Sequence, residues 1–171
     1  MLLASLVAAC DASEKMRPPA RMGCGPAAPD AEDDIREAAL RYLLTEPCGR
    51  EGVDFTGSPR ICIATESDTG PVCPDYMCDP SLGFLERFAT QRPPVSPVSA
   101  CDIGFDRVVD PKAGSRAVVF TTGDICWVGN ATVELDAGEL TGLSSEMTFK
   151  IKLFRRSGKW RVDSCEVTSV S

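Results

Sequence analysis

Two kinds of hydrophobic periodicity divide the chain, a helical one in its first half and a strand-like one in its second. Over residues 31–45 the apolar positions recur at intervals of three and four, and Pro47 and Gly49 follow. Asp30 stands where an N-cap is expected, with acidic residues in the next turn. These features predict an amphipathic helix over 31–45, whose apolar stripe is Ile35, Ala38, Ala39, Tyr42 and Leu43.

A second helix is predicted over residues 80–90. Asp79 precedes it as the expected cap, and Pro80 takes a first-turn position where its missing N–H is tolerated. Its core side is expected to consist of Leu82, Leu85, Phe88 and Ala89. Between the two helices, the apolar run at 60–64 predicts a short strand.

From residue 115 onward the apolar positions recur with period two, most clearly where Met147, Phe149, Ile151 and Leu153 alternate with polar residues. Strands are predicted at 117–121, 124–128, 131–137, 146–155 and 159–170, with bulges near Gly123 and at Asp163-Ser164. Such a pattern is typical of an antiparallel meander with one buried face and one wetter face. The predicted class is therefore α+β, with two N-terminal-half helices packed on a curved antiparallel sheet of about four to five strands.

The N-terminus resembles a bacterial lipoprotein cleavage site, carried by Leu6-Val7-Ala8-Ala9-Cys10. On this hypothesis residues 1–9 are a signal remnant, Cys10 is lipidated, and residues 10–30 form a tether too rich in Pro, Ala and Gly to bury a core. Residues 31–171 then form one domain in the bacterial cell envelope. The alternative is an apolar N-terminus with an ordinary buried thiol at Cys10.

Composition narrows the possible partners. The formal net charge of −7 argues against nucleic acid, because no basic stripe is present to neutralise phosphates. The chain contains no histidine, which excludes His-dependent nucleophiles and His-ligated metal sites. We expect no metal and no cofactor, and contact with a membrane only through the lipid anchor.

The nine cysteines fit an oxidising compartment, since lipidation of Cys10 would leave eight to form disulfides. Position along the chain favours bonds within the sheet, around the second helix, in a tight loop and at the end of the first helix. The corresponding pairs are Cys126–Cys165, Cys62–Cys101, Cys73–Cys78 and Cys24–Cys48.

Candidate chemistry is sparse. Glu134, Asp136 and Glu139 could in principle act as paired carboxylates, but strand alternation favours a solvated sheet face for the first two. No catalytic residue is predicted.

The order of elements resembles small secreted bacterial proteins with NTF2-like or cystatin-like α+β folds. The resemblance rests on residues 35–42, 61–64, 79–88, 97–101 and 157–162. It implies a non-enzymatic envelope lipoprotein that binds a protein or small-molecule partner. An enzyme that uses a carboxylate or Tyr42 in a cone-shaped pocket is the alternative.

Overall fold

A computed structural model describes residues 29–46, 48, 60–66 and 77–171. The elements in chain order are α1 (Pro29–Thr45), β1 (Arg60–Glu66), β2 (Met77–Cys78), α2 (Leu82–Glu86), β3 (Val95–Pro97), a 3₁₀ turn (Val98–Ala100), β4 (Asp102–Ile103), β5 (Val108–Val109), β6 (Arg116–Gly129), β7 (Thr132–Gly142), β8 (Ser145–Arg156) and β9 (Lys159–Val170). No helix among these residues is long and apolar enough to cross a membrane.

The sheet is larger and more mixed than the sequence predicts. Nine strands of the described chain form one sheet whose main path runs β2-β1-β6-β7-β8-β9. Strands β6 to β9 form the expected antiparallel meander, but β1 lies parallel to both β3 and β6. The prediction of two helices on an antiparallel sheet of four to five strands is therefore wrong. Hydrophobic alternation identifies a strand but does not determine which strands it pairs with. The shortest strands contain too few residues to show any periodicity.

Among the residues that the structure describes, only α1 is a substantial helix. Its buried residues lie against one face of the sheet, which we call the helix face, and pack against Val118, Phe120, Leu135 and Phe149. The buried set on α1 is Ile35, Ala39, Leu40, Leu43 and Leu44. The stripe predicted from the sequence is thus displaced slightly around the helix axis, with Ala38 and Tyr42 half-buried at its margin.

The second helix is much shorter than predicted, with five residues. Ser81, rather than Asp79, caps it by accepting a hydrogen bond from the backbone N–H of Phe84. The predicted core residue Leu82 is 80% exposed, whereas Phe84 and Phe88 are buried. An amphipathic pattern over so few turns leaves the direction of the buried face poorly determined, and tertiary packing decides it.

A cluster of charges joins α1 to the region of α2. The Arg87 guanidinium donates hydrogen bonds to Asp34 (2.8 Å) and Glu37 (3.0 Å), and these bonds, that to Asp34 first, raise the pKa of Arg87. Arg41 bonds Glu37 at 2.8 Å, donates to the Arg87 carbonyl and lies over the Phe88 ring. The cluster holds α1 and the region of α2 together, and its charged groups are engaged with one another.

Two expected bulges are present in the meander. One extra residue separates Thr122 from Ile125 in β6, and Arg36 of α1 donates hydrogen bonds to the carbonyls of Thr122 (3.0 Å) and Gly123 (2.7 Å) there. The second bulge lies at Asp163 in β9. It brings Cys165 onto the face that carries Val162, as the apolar phase of this strand predicts.

All six cysteines among the described residues are disulfide-bonded, at positions 48, 62, 78, 101, 126 and 165. Cys62 is bonded to Cys101, which is the predicted pair. Cys165 is bonded to Cys48, with their Cα atoms 5.6 Å apart. The predicted pairs Cys126–Cys165 and Cys24–Cys48 are therefore wrong.

The geometry of the sheet explains the first of these errors. Strands β7 and β8 lie between the strands that carry Cys126 and Cys165, so the two backbones stand about 14 Å apart. A disulfide needs Cα atoms within about 7 Å. Cys126 is moreover paired with Glu134 on the opposite face, while Cys165 packs on the helix face near the end of α1.

Candidate functional site

Described residues cover one half of the sheet face opposite α1, which we call the outer face. Residues 98–109, which we call the covering segment, include β4 and β5, and β5 pairs with the start of β6. Val98, Cys101 and Val108 pack against this half, and the Cys62–Cys101 disulfide ties the segment to β1. The sheet residues beneath them are Cys62, Ala64, Ala117, Val119 and Leu140. The tip of the β7–β8 hairpin is also attached to this segment through backbone hydrogen bonds from Leu143 and Ser144.

A groove of about 350 Å³, the outer-face groove, begins where this cover ends. It is lined by Thr121, Asp136, Ala137, Gly138, Glu146, Thr148, Phe149, Lys150 and Thr168. Successive side chains of a strand alternate between faces, so the polar members of this set stand on the outer face. The groove is therefore formed by β6, β7, β8 and β9 together.

Gly138 forms the floor of the groove. A Cβ atom at this position would lie 2.6 Å from Thr121 Oγ1, 3.7 Å from Glu146 Oε1 and 3.8 Å from the Met147 carbonyl oxygen. A side chain here would clash with Thr121 Oγ1, so without a shift of Thr121 this position accepts only glycine. Two of these oxygens belong to the side chains of Thr121 and Glu146, and the third belongs to the backbone of β8.

The hydroxyl groups of the groove differ in their partners. Thr148 and Thr168 share a hydrogen bond of 2.9 Å between their side-chain oxygens. Thr121 is only 4% exposed, and no hydrogen bond joins its hydroxyl to another described residue. The buried polar side-chain atoms without a partner among the described residues are Ser115 Oγ and Trp127 Nε1, not Thr121 Oγ1, so the Thr121 hydroxyl opens into the groove and can bond a molecule there.

The charges of the groove are arranged along β8. Lys150 stands between Asp136 of β7 and Glu166 of β9 in the strand register. Glu146 lies four residues away on the same strand, and no ion pair to it is present among the described residues. The Lys150 charge is thus flanked by two carboxylates, whereas Glu146 is exposed to solvent at the end of the groove.

The other residues that the sequence offers as catalytic candidates lie in different parts of the structure. Glu134 and Asp136 lie on the outer face, but Glu139 pairs with Phe120 on the helix face and is only 7% exposed. Tyr42 belongs to α1 and therefore lies on the other side of the sheet from the groove. The described residues contain no group of three or more His, Cys, Asp or Glu side chains that could hold a metal ion.

Several predicted site residues lie outside the described residues. These are Cys10, the predicted lipidation site, and two cysteines of the predicted disulfides, Cys24 and Cys73. Cys78, the predicted partner of Cys73, is disulfide-bonded.

The disulfides indicate where the protein is located. Disulfides persist in oxidising environments and are rare in the cytosol. The bonds Cys48–Cys165 and Cys62–Cys101 therefore indicate a location outside the cytoplasm.

Comparison with known proteins found no similarity from which a family can be assigned. No protein-family model matches the chain, and searches of curated proteins and of solved structures also found no match. The site must accordingly be interpreted from its own geometry.

Proposed function

We propose that the protein is an extracytoplasmic binding domain that holds a small polar ligand in the outer-face groove without changing it chemically. The observation that carries this proposal is a groove of about 350 Å³ built on four paired strands, into which the Thr121 hydroxyl opens without a hydrogen-bond partner among the described residues. The groove is built on long paired strands, so its polar groups are held in place before a ligand binds.

The size of the groove agrees with a small ligand. Its volume of about 350 Å³ is at the lower end of the range for small-molecule sites, which is about 300–1,000 Å³. Threonine hydroxyls both donate and accept hydrogen bonds, and Lys150 adds a donor while Glu146 adds an acceptor. Such a lining fits a polar molecule better than an apolar one.

A pair of matched variants tests the site. Thr148→Tyr would fill the groove, whereas Thr132→Tyr places the same ring on the same face of the sheet outside it. Saturation-transfer NMR with mixtures of short peptides, amino acids and saccharides should detect ligands for the unchanged protein and for Thr132→Tyr. It should detect none for Thr148→Tyr. Equal signals from both variants would place binding elsewhere and contradict the proposal.

We also propose that the domain is attached to the membrane by a lipid on Cys10. The motif ending Ala8-Ala9-Cys10 and the extracytoplasmic disulfides support this. Metabolic labelling with radioactive palmitate should mark the unchanged protein and a Cys24→Ser control but not Cys10→Ser. Label retained by Cys10→Ser would contradict the anchor and leave the groove proposal unaffected.

A further inference from the structure

One end of the sheet is cationic although the chain as a whole is acidic. Residues 147–162 contain six lysine and arginine residues and no acidic residue, whereas the formal net charge of the chain is −7. The turn between β8 and β9 lies within this range. The turn between β6 and β7 lies at the same end of the sheet, where the backbone N–H of Arg155 donates to the Ala131 carbonyl at 2.8 Å. We call this region the cationic end, and its exposed charges are Arg155, Arg156, Lys159 and Arg161.

The four charges of the cationic end are not balanced by carboxylates. In the register of β8 and β9, Arg156 lies directly opposite Lys159, and Arg161 lies opposite Phe154. No ion pair or side-chain hydrogen bond joins any of the four to another described residue. Like charges opposite each other in an antiparallel pair are destabilising, so this grouping does not help the domain to fold.

The cations are distributed around the end of the sheet. Strand alternation directs Arg155 to the helix face, and directs Arg156 and Arg161 to the outer face. Two apolar side chains stand among them, the half-buried Phe154 on the outer face and Val128, which is 48% exposed at the end of β6. A flat surface that approaches along the strands would contact both faces of this end at once. A partner lying on one face would reach only part of the charge.

From these observations we infer that the cationic end docks onto a membrane surface that carries anionic phospholipid head groups. Such a surface attracts lysine and arginine side chains, and aromatic side chains such as Phe154 enter its interfacial region. The rest of the chain is acidic and is repelled by the same surface, so the domain is held with this end toward the membrane. The inference goes beyond the proposed function, because the cationic end and the outer-face groove share no residue.

Vesicle binding tests the inference with the oxidised full chain carrying Cys10→Ser, so that no lipid on Cys10 contributes. Co-sedimentation compares vesicles of phosphatidylcholine alone with vesicles that contain phosphatidylcholine and phosphatidylglycerol. The chain should bind the anionic vesicles at least about tenfold more tightly than the neutral ones. Raising the salt concentration from about 0.05 M to about 0.5 M should remove most of this binding, because salt screens the charges.

Matched charge reversals identify the residues responsible. Arg156→Glu/Arg161→Glu reverses two charges of the cationic end and should weaken binding to the anionic vesicles at least about tenfold. Lys112→Glu/Arg116→Glu makes the same change in net charge at exposed positions by the start of β6, at the opposite end of the sheet. This control should weaken binding less than about threefold, because those positions are far from the docked surface and screened. Arg156→Gln/Arg161→Gln adds no repulsion and should give an intermediate loss.

Several outcomes would overturn the inference. Equal binding to the two kinds of vesicle would do so, as would equal losses in the two charge-reversed pairs, because these would show a general effect of net charge. Binding to polyglutamate, a soluble acidic polymer, that is as tight as binding to the anionic vesicles would indicate a soluble acidic partner instead. If neither kind of vesicle is bound, the inference is wrong. None of these outcomes bears on the groove, which the NMR screen with Thr148→Tyr tests separately.

Discussion

The two halves of the outer face are formed partly by the same strands but have opposite surfaces. In the covered half, Val119 of β6 and Leu140 of β7 lie beneath the covering segment. Two residues away on each strand, on the same face, Thr121 and Gly138 line the groove instead. A change from apolar residues to threonine and glycine, over one two-residue repeat of each strand, thus separates the core from the groove. The comparison shows that a groove can form on a regular sheet at the point where the apolar segment packed on that sheet ends.

The largest expected effect concerns the core beneath the open half. Phe149 is 1% exposed on the helix face directly under the groove, so Phe149→Ala should lower the free energy of unfolding by about 3–5 kcal/mol. Phe154→Ala, on the same strand but half-buried on the outer face, should cost about 1 kcal/mol. Urea denaturation measures both. Similar midpoints would show that the open half has no rigid core below it.

Removing the disulfide of the covered half should have the next largest effect. The double variant Cys62→Ala/Cys101→Ala releases a bond with a sequence separation of 39 residues and should lower stability by about 2–4 kcal/mol. The amide NMR signals of Thr148 and Lys150 should stay in place, because the groove is made by other strands. Large shifts at these two positions would show that the covering segment also shapes the open half.

Two substitutions between the nearly isosteric residues valine and threonine test the boundary between the covered half and the groove. Val119→Thr would bury a hydroxyl beneath the covering segment and should cost about 1–3 kcal/mol. Thr121→Val, two residues along β6, should change stability by less than about 0.5 kcal/mol, because the hydroxyl it removes has no partner among the described residues. Thermal unfolding of both variants measures the difference. If Thr121→Val is the more damaging change, Thr121 belongs to the core and not to the groove.

The smallest effects are expected from the lysines of β8. Lys150 lines the groove and Lys152, two residues away on the same face, does not. Lys150→Ala and Lys152→Ala should each change the free energy of unfolding by less than about 0.5 kcal/mol. A loss above 1 kcal/mol for Lys150→Ala alone, measured by urea denaturation, would give this residue a structural role in the open half.

Local periodicity was sufficient for the long elements and insufficient for the short ones. The stripe of α1 and the alternation around Phe149 each repeat several times, so a single misleading residue does not obscure them. The five-residue α2 and the strands of two or three residues show no such repetition. The bulge at Asp163 could be predicted because it shifts the apolar phase of an otherwise regular strand.

The groove could not be predicted from the sequence. The strand predicted over 131–137 ends before Gly138, whereas β7 continues to Gly142 and places Gly138 inside a strand. Nothing in the sequence places Thr121 of β6 or Thr168 of β9 beside it, because their proximity depends on strand register across three interfaces. The pairing Cys48–Cys165 was missed for the same reason, since it requires knowing that the end of α1 lies over β9.

By itself, the sequence determined the main helix, the four-stranded meander with its bulges, and a cysteine content suited to an oxidising compartment. These features depend on local periods or on composition, which are visible along the chain. Only the tertiary structure decided the parallel pairing of β1, the partner of Cys165 and the open half of the outer face. Each of these depends on contacts between residues far apart in sequence, and such contacts are selected by packing of the whole sheet rather than by any one segment.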